Sequence, residues 1–199
     1  MHFARLRIAR VRVVSVAVVL VSVLPLYSAM HVSGALAAGV QEIDGYKLDD
    51  YRSPVPDTLK GARVVDAGEA DALWDKGRGS AIFIDVFPKP PKPNLPEGTV
   101  WREPEHESIV GAVWLANIGF GVLAPTFKNY MKLGLERLTE GDKSKRIIFF
   151  CLRDCWMSWN AAKRAMEMGY TNVIWFPDGT DGWKDFGLPT QIIEPEPSN

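Results

Sequence analysis

The chain has 199 residues, with 23 basic residues against 24 acidic ones for a formal net charge of −1, and only two cysteines. With no basic patch or cationic tail, nothing in it favours a nucleic-acid partner. Cys151, Cys155 and His106 do not make a metal site by spacing, since paired-cysteine sites normally need a second pair nearby.

The first residues read as an address. Arg5, Arg7, Arg10 and Arg12 form a basic opening without an acid among them, and Val13 to Leu26 is apolar apart from Ser15, Ser22 and Pro25. Ala35-Leu36-Ala37 then supplies small residues where a signal peptidase cuts. The apolar run is short against the ~20 residues of a spanning helix. Residues 1–37 are therefore expected to be a cleaved signal peptide, the only segment to meet a membrane, and the protein to be periplasmic. The arginines are not adjacent, so a twin-arginine signal is not expected. Removing the segment takes out four arginines and no acid, which leaves 162 residues at a net charge of −5. That length suits one domain with a proper core and leaves nothing for a second.

Residues 38–62 are polar and loop-like, with Pro54 and Pro56, and read as a peripheral N-terminal arm. From residue 63 strands and helices alternate. Arg63-Val64-Val65 predicts a short strand, Gly68–Lys76 a helix, and Ala81–Val86 a buried strand. The five prolines between Pro88 and Pro96 forbid ladder pairing and favour an extended, stiff loop. Val110–Leu115 predicts a brief strand and Phe127–Leu138 a helix. Ile147–Phe150 predicts a buried strand, Ser158–Met168 a helix closed by Gly169, and Asn172–Phe176 another buried strand. This alternation predicts an α/β fold with a central parallel sheet and helices on both faces, over residues 63–190, with 191–199 as a C-terminal tail. Ligands of such sheets bind beyond the carboxyl ends of the strands, where Cys151 stands.

Both cysteines lie in one polar loop, Cys151-Leu152-Arg153-Asp154-Cys155-Trp156, between a strand and a helix start. Free backbone N–H groups and the helix dipole favour an anion there, which predicts Cys151 as an activated thiolate. The other reading is two packed, inert thiols. Trp156 and Trp159 either wall the cysteine pocket or belong to the core. For Arg153, partial neutralisation of Asp154 and simple solvation stand side by side. A cysteine phosphatase would need arginine six residues after the nucleophile, and Met157 is there instead.

Several of these segments form a known set. Ile84-Asp85-Val86, then His106 to Leu115, resemble the paired N-terminal motifs of rhodanese domains. Arg146 to Phe150 with Cys151 resembles the rhodanese active-site strand and loop. Ala161-Ala162, Gly169-Tyr170, Asp178 to Trp183 and Gly187-Leu188-Pro189 resemble the closing motif of the same fold. Within rhodaneses, Cys151 to Arg164 is similar to an exported subfamily named for a CXXCW motif and associated with catabolism dependent on pyrroloquinoline quinone (PQQ). The spacing here is one residue longer, C-x-x-x-C-W. The resemblance implies a rhodanese-like fold, His106 in a structural turn, and a PQQ-dependent dehydrogenase system as partner.

Two function classes follow. In the first, Cys151 is the nucleophile of a persulfide or mixed-disulfide chemistry with a sulfur donor or thiol partner, and Cys155 resolves it. Arg153, Asp154, Trp156 and Ser158 would then contact the substrate. In the second, the pair is a structural disulfide in a non-catalytic module. Three intervening residues close too small a loop for a staple to stabilise much, which favours chemistry. Asp154 and Trp156, where an anion-binding loop would carry donors, make thiosulfate turnover an expected weakness. No nucleotide or flavin fingerprint occurs, so the chain is expected to hold no cofactor of its own.

Overall fold

The computed structural model describes residues 39–74 and 80–197, all within one unit that begins at Ala37. The expected signal peptide and the end of the first predicted helix lie outside the described residues. The strands are β1 (Arg63–Val64), β2 (Ile82–Asp85), β3 (His106–Ile109), β4 (Val113–Trp114), β5 (Ile147–Phe150), β6 (Val173–Phe176) and β7 (Thr190–Ile193). The helices are α1 (Ala67–Trp74), α2 (Pro125–Thr139), α3 (Trp156–Glu167) and α4 (Gly179–Asp185).

Five strands make one sheet in the order β1-β6-β5-β2-β4, with every pairing parallel. β5 is central, and all four of its residues, Ile147, Ile148, Phe149 and Phe150, are fully buried. Such a run is what a strand covered on both faces requires. The strand's period of two splits it between two cores. Ile147, Phe149, Val173 and Trp175 pack with α2 and α3 through Met131, Leu135, Trp159 and Ala162. Ile148, Phe150, Ile174 and Phe176 pack with α1 and α4 through Ala70 and Trp183. The architecture is the expected one, a parallel sheet with helices on both faces.

One reading changes, and two segments gain partners. The His106 region is strand, not turn: β3 pairs antiparallel with β7 from His106–Ile193 to Ile109–Thr190. The segment read as a C-terminal tail supplies most of β7, and Glu196 N–H also donates to Trp114 O at 2.9 Å. The arm is irregular and lies against α3. Trp156 N–H donates to Tyr51 O (2.9 Å), Trp156 Nε1 to Pro54 O (3.1 Å) and Trp159 Nε1 to Thr58 O (3.2 Å). Asn160 adds bonds of 2.9 Å to both the N–H and the carbonyl of Lys47. A buried helix face with two indoles and an amide needs partners for those groups, and the arm supplies them.

Candidate functional site

Cys151 follows the last residue of β5, and Cys155 is the N-cap of α3, in extended backbone with φ −126°. Asp154 turns the loop between them through a left-handed conformation, φ 53°. The far side of the loop is clamped to α4: Thr180 N–H donates to Cys151 O at 2.9 Å, and Leu152 bridges Gly179. Gly179 has φ +52°, and a Cβ there would stand 2.1 Å from Cys151 O, so only glycine lets α4 approach this closely.

The clamp curls the loop enough to bring the two sulfurs to 2.6 Å without a bond between them. Both cysteines are only 1% exposed. Their surroundings set them apart. Burial pushes the Cys151 thiol well above its ordinary 9.0, helped by the neighbouring Cys155 sulfur and by the charge of Asp85. The Cys155 thiol is pulled down to about 7: Cys151 hydrogen-bonds its sulfur, against the cost of burial, with further help from the Met157 N–H and the Arg52 charge. The sulfurs therefore share one proton, and burial opposes ionisation of Cys151 while the groups around Cys155 favour its thiolate. Burial thus works against the lowered Cys151 thiol that its sequence position predicted. Cys151 was placed at the helix start by its sequence position, but the helix begins one residue after Cys155, so the N–H groups and the dipole serve Cys155.

Access follows the same division. An apolar cleft of about 570 Å³ opens over the loop, walled by Phe87, Pro88, Phe120, Leu152 and Met157, with Asp50, Tyr51 and Arg52 of the arm on one side. Cys155 lines it and Cys151 does not. None of the four residues expected to contact substrate lines it either. The Arg153 guanidinium pairs with Asp178 (3.3 Å) and Asp185 (2.7 Å), and the Arg153 backbone N–H donates to Asp181 Oδ2 (3.0 Å). Asp154 is exposed and shapes the turn. Trp156 is buried under the arm, with the Lys47 ammonium 5.4 Å from its ring centroid, and Trp159 is core. Ser158 Oγ accepts from Trp175 Nε1 (2.9 Å) and donates to Cys155 O (3.0 Å), which fixes the backbone at Cys155. Sequence reasoning missed Arg52, Phe87 and Phe120. Arg52 in an otherwise loop-like arm carried no periodic or motif signal.

Beneath Cys151 lies a second polar group. Asp85 is fully buried at the end of β2, and its carboxylate accepts from Phe87 N–H (2.8 Å) and Ser108 Oγ (2.6 Å) and bonds His106 Nε2 (2.7 Å). The His106 ring is stacked on Phe87, with centroids 4.8 Å apart, and tilted against Trp114 at 4.2 Å. It borders a separate cleft of about 370 Å³ that also holds Leu152 and Thr180. Among the described residues no three His, Cys, Asp or Glu side chains converge as a metal site would need, and no helix is long and apolar enough to cross a membrane.

No family model matches the chain, and no curated protein does. Among solved structures it is similar to a rhodanese-like domain from Anabaena sp., at 16% identity and a TM-score of 0.44, over 68% of this chain and 81% of that one. It is also similar to a thiosulfate sulfurtransferase from Pseudomonas aeruginosa, at 20% identity and a TM-score of 0.46 over 67% of this chain and 21% of that one. A third is the polysulfide-sulfur transferase homodimer from Wolinella succinogenes, at 14% and 0.40 over 66% and 79%. Likenesses this remote say nothing about activity. The fold class rests on the strand order and the site on its own geometry.

Proposed function

We propose that this is an exported rhodanese-like thiol protein that carries out thiol–disulfide exchange, with Cys155 as attacking thiolate and Cys151 as resolving thiol. One observation carries the reading: Cys155 is the cysteine that lines the cleft, with Cys151 behind it at 2.6 Å. Cys155 attacks a substrate disulfide, forms a mixed disulfide and expels one thiolate. Cys151 then attacks Cys155 Sγ, which expels the second thiolate, passes the Cys151 proton to it and closes the internal disulfide. The substrate gains the two electrons that the protein loses. A persulfide on Cys151 fits less well, because the Cys155 sulfur already stands where its outer sulfur would go. The subfamily resemblance supplies the setting, a PQQ-dependent alcohol oxidation system, and loss of the gene should impair that oxidation.

The burial of both sulfurs favours a second reading, the structural disulfide. One experiment separates them. The reduced full chain, mixed with a small aromatic disulfide, should release two equivalents of thiol and end as the internal disulfide. Cys151→Ser should stop at one equivalent with a stable adduct on Cys155. Release no faster than from a buried, unreactive thiol would leave the staple. Counting free thiols by mass spectrometry in protein taken from its native compartment, without added reductant, then gives the working state.

A further inference from the structure

We propose that Arg52, a residue of the arm, makes the cleft selective for small disulfides that carry an anionic group beside an apolar body. The inference rests on Cys155 being the attacking sulfur. Its first support is that Arg52 is held in place. Trp156, the residue after Cys155, donates its backbone N–H to Tyr51 O (2.9 Å) and its indole N–H to Pro54 O (3.1 Å). Arg52 lies between those two anchors. On the other side, the Tyr51 hydroxyl donates to Leu48 O (2.7 Å) and accepts from Gly121 N–H (3.0 Å), and its ring meets Phe120 edge-on at 5.5 Å. The arm is thus fastened to both rims of the cleft, with Arg52 lining it alongside Cys155.

The second support is charge. Arg52 is exposed and joins none of the ion pairs formed among the described residues. Of the other nearby cations, Arg153 is already held by two carboxylates and the Lys47 ammonium sits over the Trp156 ring. Asp50 also borders the cleft, but Arg52 is the residue whose charge acts on Cys155. The third support is shape. Cys155 is 1% exposed and reached through about 570 Å³ walled by Phe87, Phe120 and Met157. That volume lies within the range of small-molecule sites and takes a flat apolar body. A disulfide on the face of a folded partner protein cannot descend to a sulfur so buried.

The chemistry balances as in the exchange above. The Cys155 thiolate forms a bond to one substrate sulfur as the substrate S–S bond breaks, and the departing thiolate carries the electron pair. Arg52 takes no proton or electron, so it is a positioning and selectivity residue.

The test uses the reduced full chain and three disulfides: the aromatic bis-carboxylate dithionitrobenzoate, neutral dithiodipyridine and dicationic cystamine. Each first-phase rate is divided by that of a simple free thiol with the same reagent, which removes intrinsic reactivity. We expect the anionic reagent to exceed the cationic one about tenfold after that correction. The preference should shrink in ~1 M salt, where the screening length is ~3 Å. It should fall to near unity in Arg52→Gln and invert in Arg52→Glu, both at an exposed position. An unchanged ratio in Arg52→Gln overturns the proposal, as does faster reaction with a folded protein disulfide than with any of the three. A first phase that survives in Cys155→Ser sinks the underlying assignment instead, so the two failures are told apart.

Discussion

The two sulfurs are 2.6 Å apart and equally buried, yet they face different worlds. On the Cys155 side there is a helix start, an apolar cleft and a cation from the arm. On the Cys151 side there is the packed end of β5 and the negative field of Asp85, itself held by His106 and Ser108. Proximity makes them a couple, and their surroundings differ: Cys155 lines the cleft and Cys151 lies behind it. Burial raises a thiol's pKa unless specific donors intervene, and only Cys155 has a set of them.

The sharpest way to break this comparison is to remove each sulfur in turn. Cys155→Ser should abolish the first phase of thiol release, because Cys151 has neither the thiolate nor the path. Cys151→Ser should keep that phase and lose the second, with the adduct trapped on Cys155 and visible by mass. If the trapped adduct sits instead on Cys151 in Cys155→Ser, the two roles are exchanged.

Next in size is the clamp that curls the loop. Gly179→Ala puts a Cβ where Cys151 O is and forces a left-handed φ on alanine, so thermal or denaturant unfolding should show a loss of about 3 kcal/mol. The second phase of thiol release should slow along with it, since the Cys151 backbone must move. A stable variant with normal resolution would show that α4 does not set the sulfur geometry.

The proton division has its own signature in stability against pH. Cys155 ionises near 7 when folded and near its ordinary 9.0 when unfolded. Between those values the unfolded chain holds the extra proton, so the reduced protein should gain stability as pH rises from 7 to 9, by no more than about 3 kcal/mol. Above 9 the sign turns. Cys151 stays protonated in the fold while the unfolded thiol ionises, so stability should fall with further alkalinity. Denaturant midpoints of the reduced protein across this range check both limbs. A flat curve would mean that the environments do not differ.

Much of this was legible in the sequence. The uninterrupted apolar runs Ile147–Phe150 and Val173–Phe176 can only be strands covered on both faces, and they are. That both cysteines belong to one strand–helix loop was equally plain. What stayed hidden depended on distant partners. The helix start moved from Ser158 to Trp156 because the arm accepts the Trp156 N–H, and that move handed the helix N-terminus to Cys155. β3 pairs with β7 across separations of 81 residues at Ile109–Thr190 to 87 at His106–Ile193, which no local pattern announces, least of all in a polar His-Glu-Ser-Ile run. Arg52 matters only because Trp156 fastens its neighbours over the cleft, and hydrogen bonds 102 residues apart leave no trace in spacing.

The smallest expected effect concerns the wall shared with α4. Thr180 is 2% exposed, and its Oγ1 finds no hydrogen-bond partner among the described residues, although its backbone N–H holds Cys151 O. A buried hydroxyl without a partner costs free energy, and valine has nearly the same shape without the polar atom. Thr180→Val should therefore be neutral or stabilise by up to about 1 kcal/mol, with both phases of thiol release intact because the backbone clamp is untouched. A clear loss of stability would mean that the hydroxyl is bonded through the cleft of about 370 Å³ that it lines beside His106. The Cys151 side would then be wet, and its contrast with the apolar Cys155 cleft would be one of polarity as well as access.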